Sequence, residues 1–275
     1  MSLEERGGRV VGPLFGNRAV VFVEAIVLFL VLWEAIARLF DMTVVLSSPM
    51  LVAVAIYEVL LSGEWVVHFV ASMQRILYGF GASIVVGVLF GGLLGVSTFW
   101  RKAFRPYVLV GMAIPGLLLI IFTAMAFGTS DLTPMVATAV ITAPFIADMI
   151  QSGIEDIDSD LLKMSGSFDV SNLRVYRRVL LPSILPEIFS AIRFAFSVAW
   201  KVIVLAEVVI SDTGIGFLIQ ENMSRLSMTG VLKYLLLFVI VMLVIEYGVF
   251  NPLEKVLFDW REDVASTVEA GAGAQ

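Results

Sequence analysis

The sequence predicts an all-α integral membrane protein with about six transmembrane helices. Of its 275 residues, 59% are hydrophobic and only 15% are charged, and the mean hydropathy is +0.97. A soluble domain of this length could not bury so much apolar surface, so lipid is expected to solvate much of the chain. The apolar stretches lack the alternation of barrel strands, and each is therefore predicted to be a helix.

Six stretches are long and apolar enough to cross a bilayer: about 19–40, 76–97, 107–127, 132–153, 188–210 and 231–252. The first is interpreted as a retained span, because a cleaved signal peptide would be shorter and would end in small residues. The spans define a predicted transmembrane domain over 19–260, which follows a cytoplasmic segment, 1–18. The tail, 261–275, has too little apolar surface to become ordered.

The positions of the basic residues predict that both termini are cytoplasmic. Of the 18 basic residues, 12 fall on the inside in this orientation: Arg6, Arg9, Arg18, Arg101, Lys102, Arg105, Lys163, Arg174, Arg177, Arg178, Lys255 and Arg261. Cytoplasmic loops of membrane proteins carry an excess of lysine and arginine. The outer loops and helix ends then hold only Arg38, Arg75, Arg225 and Lys233.

The second span carries small residues at intervals of four, namely Gly79, Ser83, Gly87, Gly91 and Gly95. This spacing places them on one helix face, which another helix can approach closely. Packing within the bundle is the favoured interpretation, and a subunit interface is the alternative.

Prolines interrupt the third and fourth spans at Pro115-Gly116 and at Pro144. Such breaks are tolerated where a neighbouring helix or a water-filled cavity satisfies the freed backbone groups. Pro115 and Pro144 are therefore candidates for lining a pathway, and simple packing kinks explain them equally well.

The segment between spans four and five, 154–187, is too polar to span and too long for a minimal connection. Ile157, Leu161, Met164 and Phe168 fall at helical spacing, and a second helix has Leu173, Tyr176 and Leu180 on one face. Arg174, Arg177 and Arg178 take the other face, and Pro182 is predicted to end this helix. Two short amphipathic helices could dock on a protein or lie on anionic lipid, and the pattern leaves both open.

Part of this segment carries a resemblance to a known family. From Lys163 the chain reads KMSGSFDVSNLRVYRRVLLPSILPEIFSAIRFAFSVAWKVIVLAEVV, which resembles the signature region of binding-protein-dependent ABC transporter permeases. There, EAA and a Gly three residues later lead to a basic pair and Leu-Pro. Two flanking stretches also look like the family's: SSPMLVAVAIYEVLLSGEWVVHFVASMQRILYGF and AEVVISDTGIGFLI. The resemblance covers about 46–261 and is greatest to the branch that imports nitrate, sulfonates, taurine and related small molecules.

The resemblance implies a type I ABC importer permease fold and coupling helices that sit in a groove of a cytoplasmic ABC ATPase. The coupling residues it implies are Leu161, Lys163, Met164, Phe168, Asp169, Leu173, Tyr176, Arg177, Arg178 and Pro182. The chain would translocate a small solute, organic or inorganic and with anions among the candidates, by alternating access. Its implied partners are a second copy of itself, the ATPase subunits, which hold ATP and Mg²⁺, and an extracytoplasmic solute-binding protein. The location would be the prokaryotic plasma membrane.

The chain departs from the family pattern at two positions. Lys163 stands where the family usually has the Glu of EAA, and Asp169 replaces the usual Gly. Asp adopts turn conformations more readily than most residues, so the helix-turn-helix shape is retained as an expectation. The charge reversal at Lys163 alters any salt bridge that the family makes there.

Three charged residues fall within the fifth span, and Arg193 lies near its inner end. Lys201 lies near its middle, where a charge costs about 2.5–3.5 kcal/mol on insertion scales, so it should face protein or water. A pair with Asp148, Glu24, Glu34, Glu207 or Glu246 is the favoured interpretation, although Glu207 is six residues away and not on the same helical face. Attraction of an anionic substrate is the alternative. Glu207, near the outer end of the span, is a candidate gate or packing residue.

Several kinds of chemistry have no support in the sequence. No Gly is followed directly by Lys, so a Walker A loop is absent and ATP hydrolysis requires another subunit. There is no Cys, and His68, the single His, is predicted to be a surface or interfacial residue in an outer loop. We therefore expect no catalytic residues, no metal site and no cofactor bound by this chain. Nucleic acid is not expected as a partner, whereas membrane lipid is.

An ion-coupled secondary transporter, acting without an ATPase, is the alternative function. Asp148 and Glu246 could serve such coupling, but the 154–187 segment would then have no role. An intramembrane enzyme would need clustered catalytic groups, for which one His and no Cys leave little material.

Overall fold

The computed structural model describes residues 18–39, 47–157 and 172–258, and every regular element in these ranges is a helix. The α-helices are α1 (Arg18–Leu39), α2 (Pro49–Ser62), α3 (Trp65–Val96), α4 (Thr98–Ala113), α5 (Gly116–Phe127), α6 (Leu132–Glu155), α7 (Asn172–Val175), α8 (Leu181–Ile210), α9 (Ile215–Ser224) and α10 (Met228–Ile245). Two turns widen to π geometry, at Tyr176–Leu180 and at Glu246–Phe250.

Five of the described helices are long and apolar enough to cross a membrane: α1, α3, α6, α8 and the continuous helical run Met228–Phe258. A sixth crossing is possible if α4 and α5 together form one broken span. Helix α3 begins well before the predicted start at 76, and α8 begins before 188. The positions at which the chain enters and leaves the bilayer stay predictions. The predicted tail, 261–275, and all of the predicted segment 1–18 except Arg18 lie outside the described residues.

The third predicted span, 107–127, is not one straight helix, because α4 and α5 meet at an angle of 98°. The break lies at Pro115, which follows an extended Ile114 with φ −69° and ψ 127°. A proline ring disfavours the helical conformation in the residue before it, which explains the position of the break. In contrast, α6 continues through Pro144, so this proline removes one bond of the backbone ladder without ending the helix.

One compact unit comprises Met1–Gly63 and Glu221–Leu237. Ser48 caps α2 by accepting a hydrogen bond from the Leu51 N–H at 3.4 Å, and Pro49 occupies the first turn, where its missing N–H costs nothing. The Ser47 carbonyl accepts a hydrogen bond from Trp33 Nε1 at 3.0 Å, and the Ser47 hydroxyl lies 2.7 Å from Thr229 Oγ1. These bonds connect three separate segments of this unit.

The other unit comprises Glu64–Gln220 and Phe238–Gln275, and its closest helix packing joins α3 to α6. The glycine face of α3 lies directly against α6. A Cβ added at Gly91 would lie 2.7 Å from the Ala147 carbonyl oxygen, and one at Gly79 would lie 2.9 Å from the Met135 carbonyl oxygen. The predicted packing role of the small residues is thus confirmed, and the increasing order of both sets of contacts shows that α3 and α6 run parallel.

Helix α8 packs antiparallel to α6 in the same unit. Near one end, Ala137 and Ile141 form a buried cluster with Val202 and Ala206. Near the other end, a second cluster contains Ile146, Ile150, Ile184, Ala191 and Ala195. The C-terminus of α6 and the N-terminus of α8 therefore lie at the same end of this unit.

Candidate functional site

The predicted coupling residues are only partly described by the structure. Five of them lie outside the described residues: Leu161, Lys163, Met164, Phe168 and Asp169. Leu173 belongs to α7 and Tyr176 to the π turn that follows, whereas the side chains of Arg177 and Arg178 are exposed. The contacts of these residues with an ATPase stay predictions.

Pro182 does not end the second amphipathic helix as predicted. It lies in the first turn of α8, and the backbone is helical from Asn172 through Ile210. The wide π turn at Tyr176–Leu180 immediately precedes it. A widened turn separates the proline ring from the carbonyl with which it would clash in a regular α-helix, so the chain can pass through Pro182 while remaining helical.

Exposed basic residues gather where α3 and α6 end and α8 begins. Arg101 donates to the Leu94 and Gly95 carbonyl oxygens at 3.1 and 2.7 Å, and pairs with Glu155 at 2.7 Å. It thereby satisfies carbonyls at the C-terminus of α3 and connects α3 to α6. We call this region the basic end. Its exposed cations are Lys102, Arg105, Arg174, Arg177 and Arg178.

A buried carboxylate, Glu207, occupies the opposite end of the same helices. Its side chain is 0% exposed. The carboxylate accepts hydrogen bonds from Arg75 Nη1 at 2.8 Å, from the Ser72 hydroxyl at 2.8 and 2.9 Å, and from the Gly216 N–H at 3.0 Å. A buried charge is tolerated only when it is paired and hydrogen-bonded in this way.

Arg75 connects Glu207 to two further parts of the chain. Its guanidinium donates from Nη1 to the Thr213 carbonyl and from Nη2 to the Thr213 hydroxyl, both at 2.7 Å. It also donates to one carboxylate oxygen of Asp131, from Nε at 2.9 Å and from Nη2 at 2.5 Å. Arg75 is 4% exposed, whereas Asp131 is 69% exposed. The five donors of a guanidinium allow this one side chain to connect α3, the start of α6, α8 and the loop after α8.

The loop between α8 and α9 has a conformation that requires glycine. Gly214 has φ +111°, which L side chains rarely adopt, and a Cβ there would overlap the Glu207 carboxylate. A Cβ at Gly216 would lie 2.5 Å from the Glu207 Cβ. The missing side chains thus allow the loop backbone, including the Gly216 N–H, to approach the carboxylate.

His68 takes part in the same loop contacts and does not lie in an outer loop, so that prediction is wrong. It belongs to the first turn of α3 and is half-buried. Its Nδ1 accepts a hydrogen bond from the Gly214 N–H at 3.2 Å, and its ring stacks on Phe217 at a centroid distance of 5.7 Å. The imidazole is therefore occupied in structural contacts.

Lys201 lies apart from these charges. Its side chain is exposed, and it forms no ion pair or hydrogen bond with any residue described in the structure. Two of its predicted partners are engaged elsewhere, because Glu207 binds Arg75 and Glu246 binds Arg193. The predicted pairs of Lys201 with Glu207 and Glu246 are therefore wrong.

The two prolines that were candidates for lining a pathway have different surroundings. Pro115 is exposed at the break between α4 and α5. Pro144 is half-buried, and a Cβ at Gly111 would lie 3.0 Å from it. Pro144 also borders an apolar cavity of about 290 Å³, which Phe90, Phe104 and Tyr107 line as well. Packing against α4 accounts for the position of Pro144, and a role for either proline in transport stays a prediction.

Metal binding finds no support in the part of the chain that the structure describes. Across residues 18–39, 47–157 and 172–258, no group of three or more His, Asp or Glu side chains is positioned to hold a metal ion.

A family match covers most of the helices that contain the basic end and Glu207. Residues 83–250 match the family model of the binding-protein-dependent transport system inner membrane component. The chain belongs to this permease family. The match begins in the middle of α3 and contains α6, the basic end, α8 and Glu207.

Curated relatives of this permease include permease proteins named for the transport of taurine, aliphatic sulfonates and nitrate. The taurine transport system permease protein TauC of Escherichia coli is 24% identical over 197 residues, which cover 72% of this chain and 71% of TauC. The "Putative aliphatic sulfonates transport permease protein SsuC" of Bacillus subtilis is 25% identical over 84% of this chain and 83% of its own length. The nitrate import permease protein NrtB of Synechococcus elongatus is 32% identical over 54% of each chain.

Solved structures support the predicted type I importer fold of the permease. A chain of the MetNI methionine ABC transporter in an inward-facing conformation aligns with a TM-score of 0.62 and 21% identity, covering 71% of this chain and 98% of that chain. The expected all-α importer permease fold is confirmed.

Sequence reasoning missed the role of Arg75 in this permease, together with those of Asp131 and Ser72. It placed Arg75 and Glu207 separately near the outer ends of predicted spans two and five. Their opposite charges at the same predicted membrane level were a usable signal, because a charge beside hydrocarbon requires a partner. The contributions of Asp131 and Ser72 depend on the fold of the loops and had no comparable signal.

Proposed function

We propose that this permease forms the membrane pathway of an ATP-driven importer for a small anionic solute, and that its 154–187 segment couples the pathway to a separate ATPase. The observation that carries the proposal is the basic end. There the helices within the family match converge, and Arg177 and Arg178 are exposed beside the start of α8. A partner that binds this region can move α8 as a rigid body, because the helix continues without interruption to Ile210.

The exposed cations also support an orientation. Lys102, Arg105, Arg174, Arg177 and Arg178 all lie at the basic end, which the positive-inside rule assigns to the cytoplasm. The cytoplasm is where an ATPase would find its nucleotide. The Arg75–Glu207 network then faces the opposite, extracytoplasmic side, and both termini are cytoplasmic.

The proposed assembly contains two copies of this chain, two ABC ATPase subunits that bind ATP and Mg²⁺, and an extracytoplasmic solute-binding protein. Closure of the ATPase dimer would move the coupling segments and switch the bundle from inward- to outward-facing. The binding protein would then release its solute into the pathway. Taurine, nitrate and aliphatic sulfonates, the solutes in the relatives' names, each carry an anionic group, which favours an anion here as well.

Capture of an ATPase by a tagged, co-expressed copy of this chain tests the proposal. The informative variant is Leu173→Asp, which introduces a charge on the predicted apolar face of the coupling segment. Thr129→Asp is the matched control, since Thr129 is exposed in the loop before α6, at the end away from the basic end. The wild type and the control should retain the ATPase and its hydrolytic activity in nanodiscs. Leu173→Asp should reduce capture by at least about tenfold, as expected for loss of an interface anchor.

The opposite outcome is equally well defined. If the wild type captures no ATPase and transports solute alone along an ion gradient, the chain is a secondary transporter and the coupling role of 154–187 is wrong. If Leu173→Asp captures the ATPase as well as the wild type and Thr129→Asp do, the proposed docking site is wrong.

A further inference from the structure

One face of the α6–α8 pair carries charged and polar groups at membrane depth. On α6, Asp148 and Ser152 lie three and seven residues after Phe145. On α8, Ser197 and Lys201 lie three and seven residues after Phe194. These spacings place side chains on one side of a helix. The rings of Phe145 and Phe194 lie 5.8 Å apart and connect the two helices. We call it the Lys201 face, and its members are Phe145, Asp148, Ser152, Phe194, Ser197 and Lys201.

The charge of Lys201 has no compensation within the part of the chain that the structure describes. The side chain is exposed, yet the carboxylates of Glu207 and Glu246 are bound by arginines. Asp148 lies on the same face but beyond the phenylalanine pair, roughly 15 Å farther along the helix axes by helical rise. An exposed ammonium at this depth cannot face hydrocarbon without a large cost, so water or a polar surface must cover it.

We propose that the Lys201 face lines the translocation pathway and that the Lys201 ammonium binds the anionic group of the solute as it crosses. This inference rests on the proposed importer function and adds to it a residue and a ligand chemistry. A lysine side chain presents a compact positive charge with three donors, which suits sulfonate or nitrate oxygens. The Ser197 hydroxyl, one turn away on the same face, donates to the Arg193 carbonyl at 3.4 Å and keeps its acceptor lone pairs as a second polar group along this route.

The competing possibility is that Lys201 pairs with a carboxylate of a second copy. The two arrangements differ in water access and in electrostatics. A lysine in an aqueous pathway leaves its neighbours reachable by polar reagents and raises the local concentration of anions. A lysine in an interchain ion pair shields its neighbours, and its charge is neutralised.

The absence of cysteine from the sequence makes a direct test possible, because Ser197→Cys would introduce the only thiol. We would label this variant in the assembled permease–ATPase complex, in membranes, with an anionic and with a cationic methanethiosulfonate. The matched control is Val85→Cys, an exposed position midway along α3 that is surrounded by apolar residues. Ser197→Cys should react at least about tenfold faster than Val85→Cys, whose thiol would face lipid, where thiols are not ionised.

The charge of Lys201 is then tested by adding Lys201→Gln or Lys201→Arg to Ser197→Cys. Side chains one helical turn apart lie about 6 Å from each other. In water a unit charge at that distance changes the local concentration of a monovalent ion by about threefold, in opposite directions for the two reagents. Lys201→Gln should therefore lower the anionic-to-cationic rate ratio by about tenfold, whereas Lys201→Arg should leave it nearly unchanged.

Each outcome bears on a separate conclusion. A Ser197→Cys thiol no more reactive than Val85→Cys, or a rate ratio that Lys201→Gln does not change, would overturn the inference and favour an interchain pair. Capture of the ATPase from a portion of the same membranes confirms that each variant is assembled. Failure of the wild type to capture an ATPase would overturn the importer assignment instead, and this inference together with it.

Discussion

Removing the positive charge from the Arg75–Glu207 network should destabilise the protein strongly. Arg75→Met keeps much of the side-chain volume but leaves the Glu207 carboxylate, which is 0% exposed, without its countercharge. The Ser72 hydroxyl and the Gly216 N–H remain as donors, at 2.8–3.0 Å, but neither carries a charge. Breaking a buried pair in this way costs about 3–5 kcal/mol. For a chain of this size that corresponds to a decrease in Tm of about 6–20 °C.

The exposed partner of Arg75 provides the control. Asp131 is 69% exposed, so water can solvate what its removal leaves behind. Asp131→Asn should therefore cost about 1 kcal/mol or less and lower the Tm by at most about 4 °C. Both variants would be measured by tryptophan fluorescence in the same detergent and at one heating rate, since unfolding of such proteins is often irreversible.

A double variant shows whether the effect comes from the pair itself. In the double variant, Glu207→Met removes the carboxylate that Arg75→Met leaves without a countercharge. The double variant should therefore lose less free energy of unfolding than the sum of the losses in the two single variants. We expect a difference of at least about 2 kcal/mol, within the range measured for directly interacting residues. Additivity within about 0.5 kcal/mol would refute the reasoning, because it would show that the two charges do not depend on each other.

Three further predictions concern packing and a second ion cluster. Gly91→Ala should destabilise by about 1–3 kcal/mol, because its Cβ would lie 2.7 Å from the Ala147 carbonyl oxygen. Gly92→Ala, whose Cβ meets nothing within 4 Å, should leave the Tm unchanged or raise it slightly. Equal effects of the two variants on Tm would contradict the α3–α6 contact. Trp200→Ala should cost about 3–5 kcal/mol, because the ring is 2% exposed and stacks on Phe238 at 4.1 Å. Trp200→Phe should cost clearly less, since the buried Trp200 Nε1 has no hydrogen-bond partner among the described residues, and a greater loss for Phe than for Ala would refute this packing account. Arg193→Lys should destabilise by about 1–2 kcal/mol, because a single ammonium cannot replace the guanidinium contacts with Glu246, Asn251 and Glu254. A Tm equal to that of the wild type would show that those contacts do not contribute to stability.

The features of the fold that depend on local sequence could be predicted. Hydropathy alone indicated the long helices, and the four-residue spacing of small side chains identified the face of α3 that packs on α6. The break at Pro115 also follows from a local rule, since proline restricts the residue before it. Pro144 and Pro182 show the limit of that rule. Whether a helix ends at a proline depends on whether neighbouring turns and helices can accommodate the ring, and one residue type carries no such information.

The pairing of charges could not be predicted, because it depends on which helix ends meet. The sequence offered five carboxylates as partners for Lys201. Helical spacing argued only against Glu207, which lies on the same helix. Arg75 lies far from Glu207 along the chain, and the parallel course of α3 and α6 had to be known before Asp131 could be placed beside Arg75. The glycine loop after α8 adds the Gly216 N–H as a backbone donor to Glu207, which no side-chain pattern reports.

Arg75 and Lys201 differ from what the sequence predicted for them, because Arg75 is the paired cation and Lys201 is not paired with any described residue. Arg75, assigned to an outer helix end and given no function, is 4% exposed and pairs with both the buried Glu207 and the exposed Asp131. Lys201, expected to find a carboxylate, is exposed while two of its candidate partners are bound by arginines. A protein that tolerates an uncompensated charge at membrane depth must cover it with water or with a partner, whereas a charge that is already paired can hold helices together. Variants of Arg75 should therefore act on stability, and variants of Lys201 on access and charge selectivity, so that each residue serves as the control for the other.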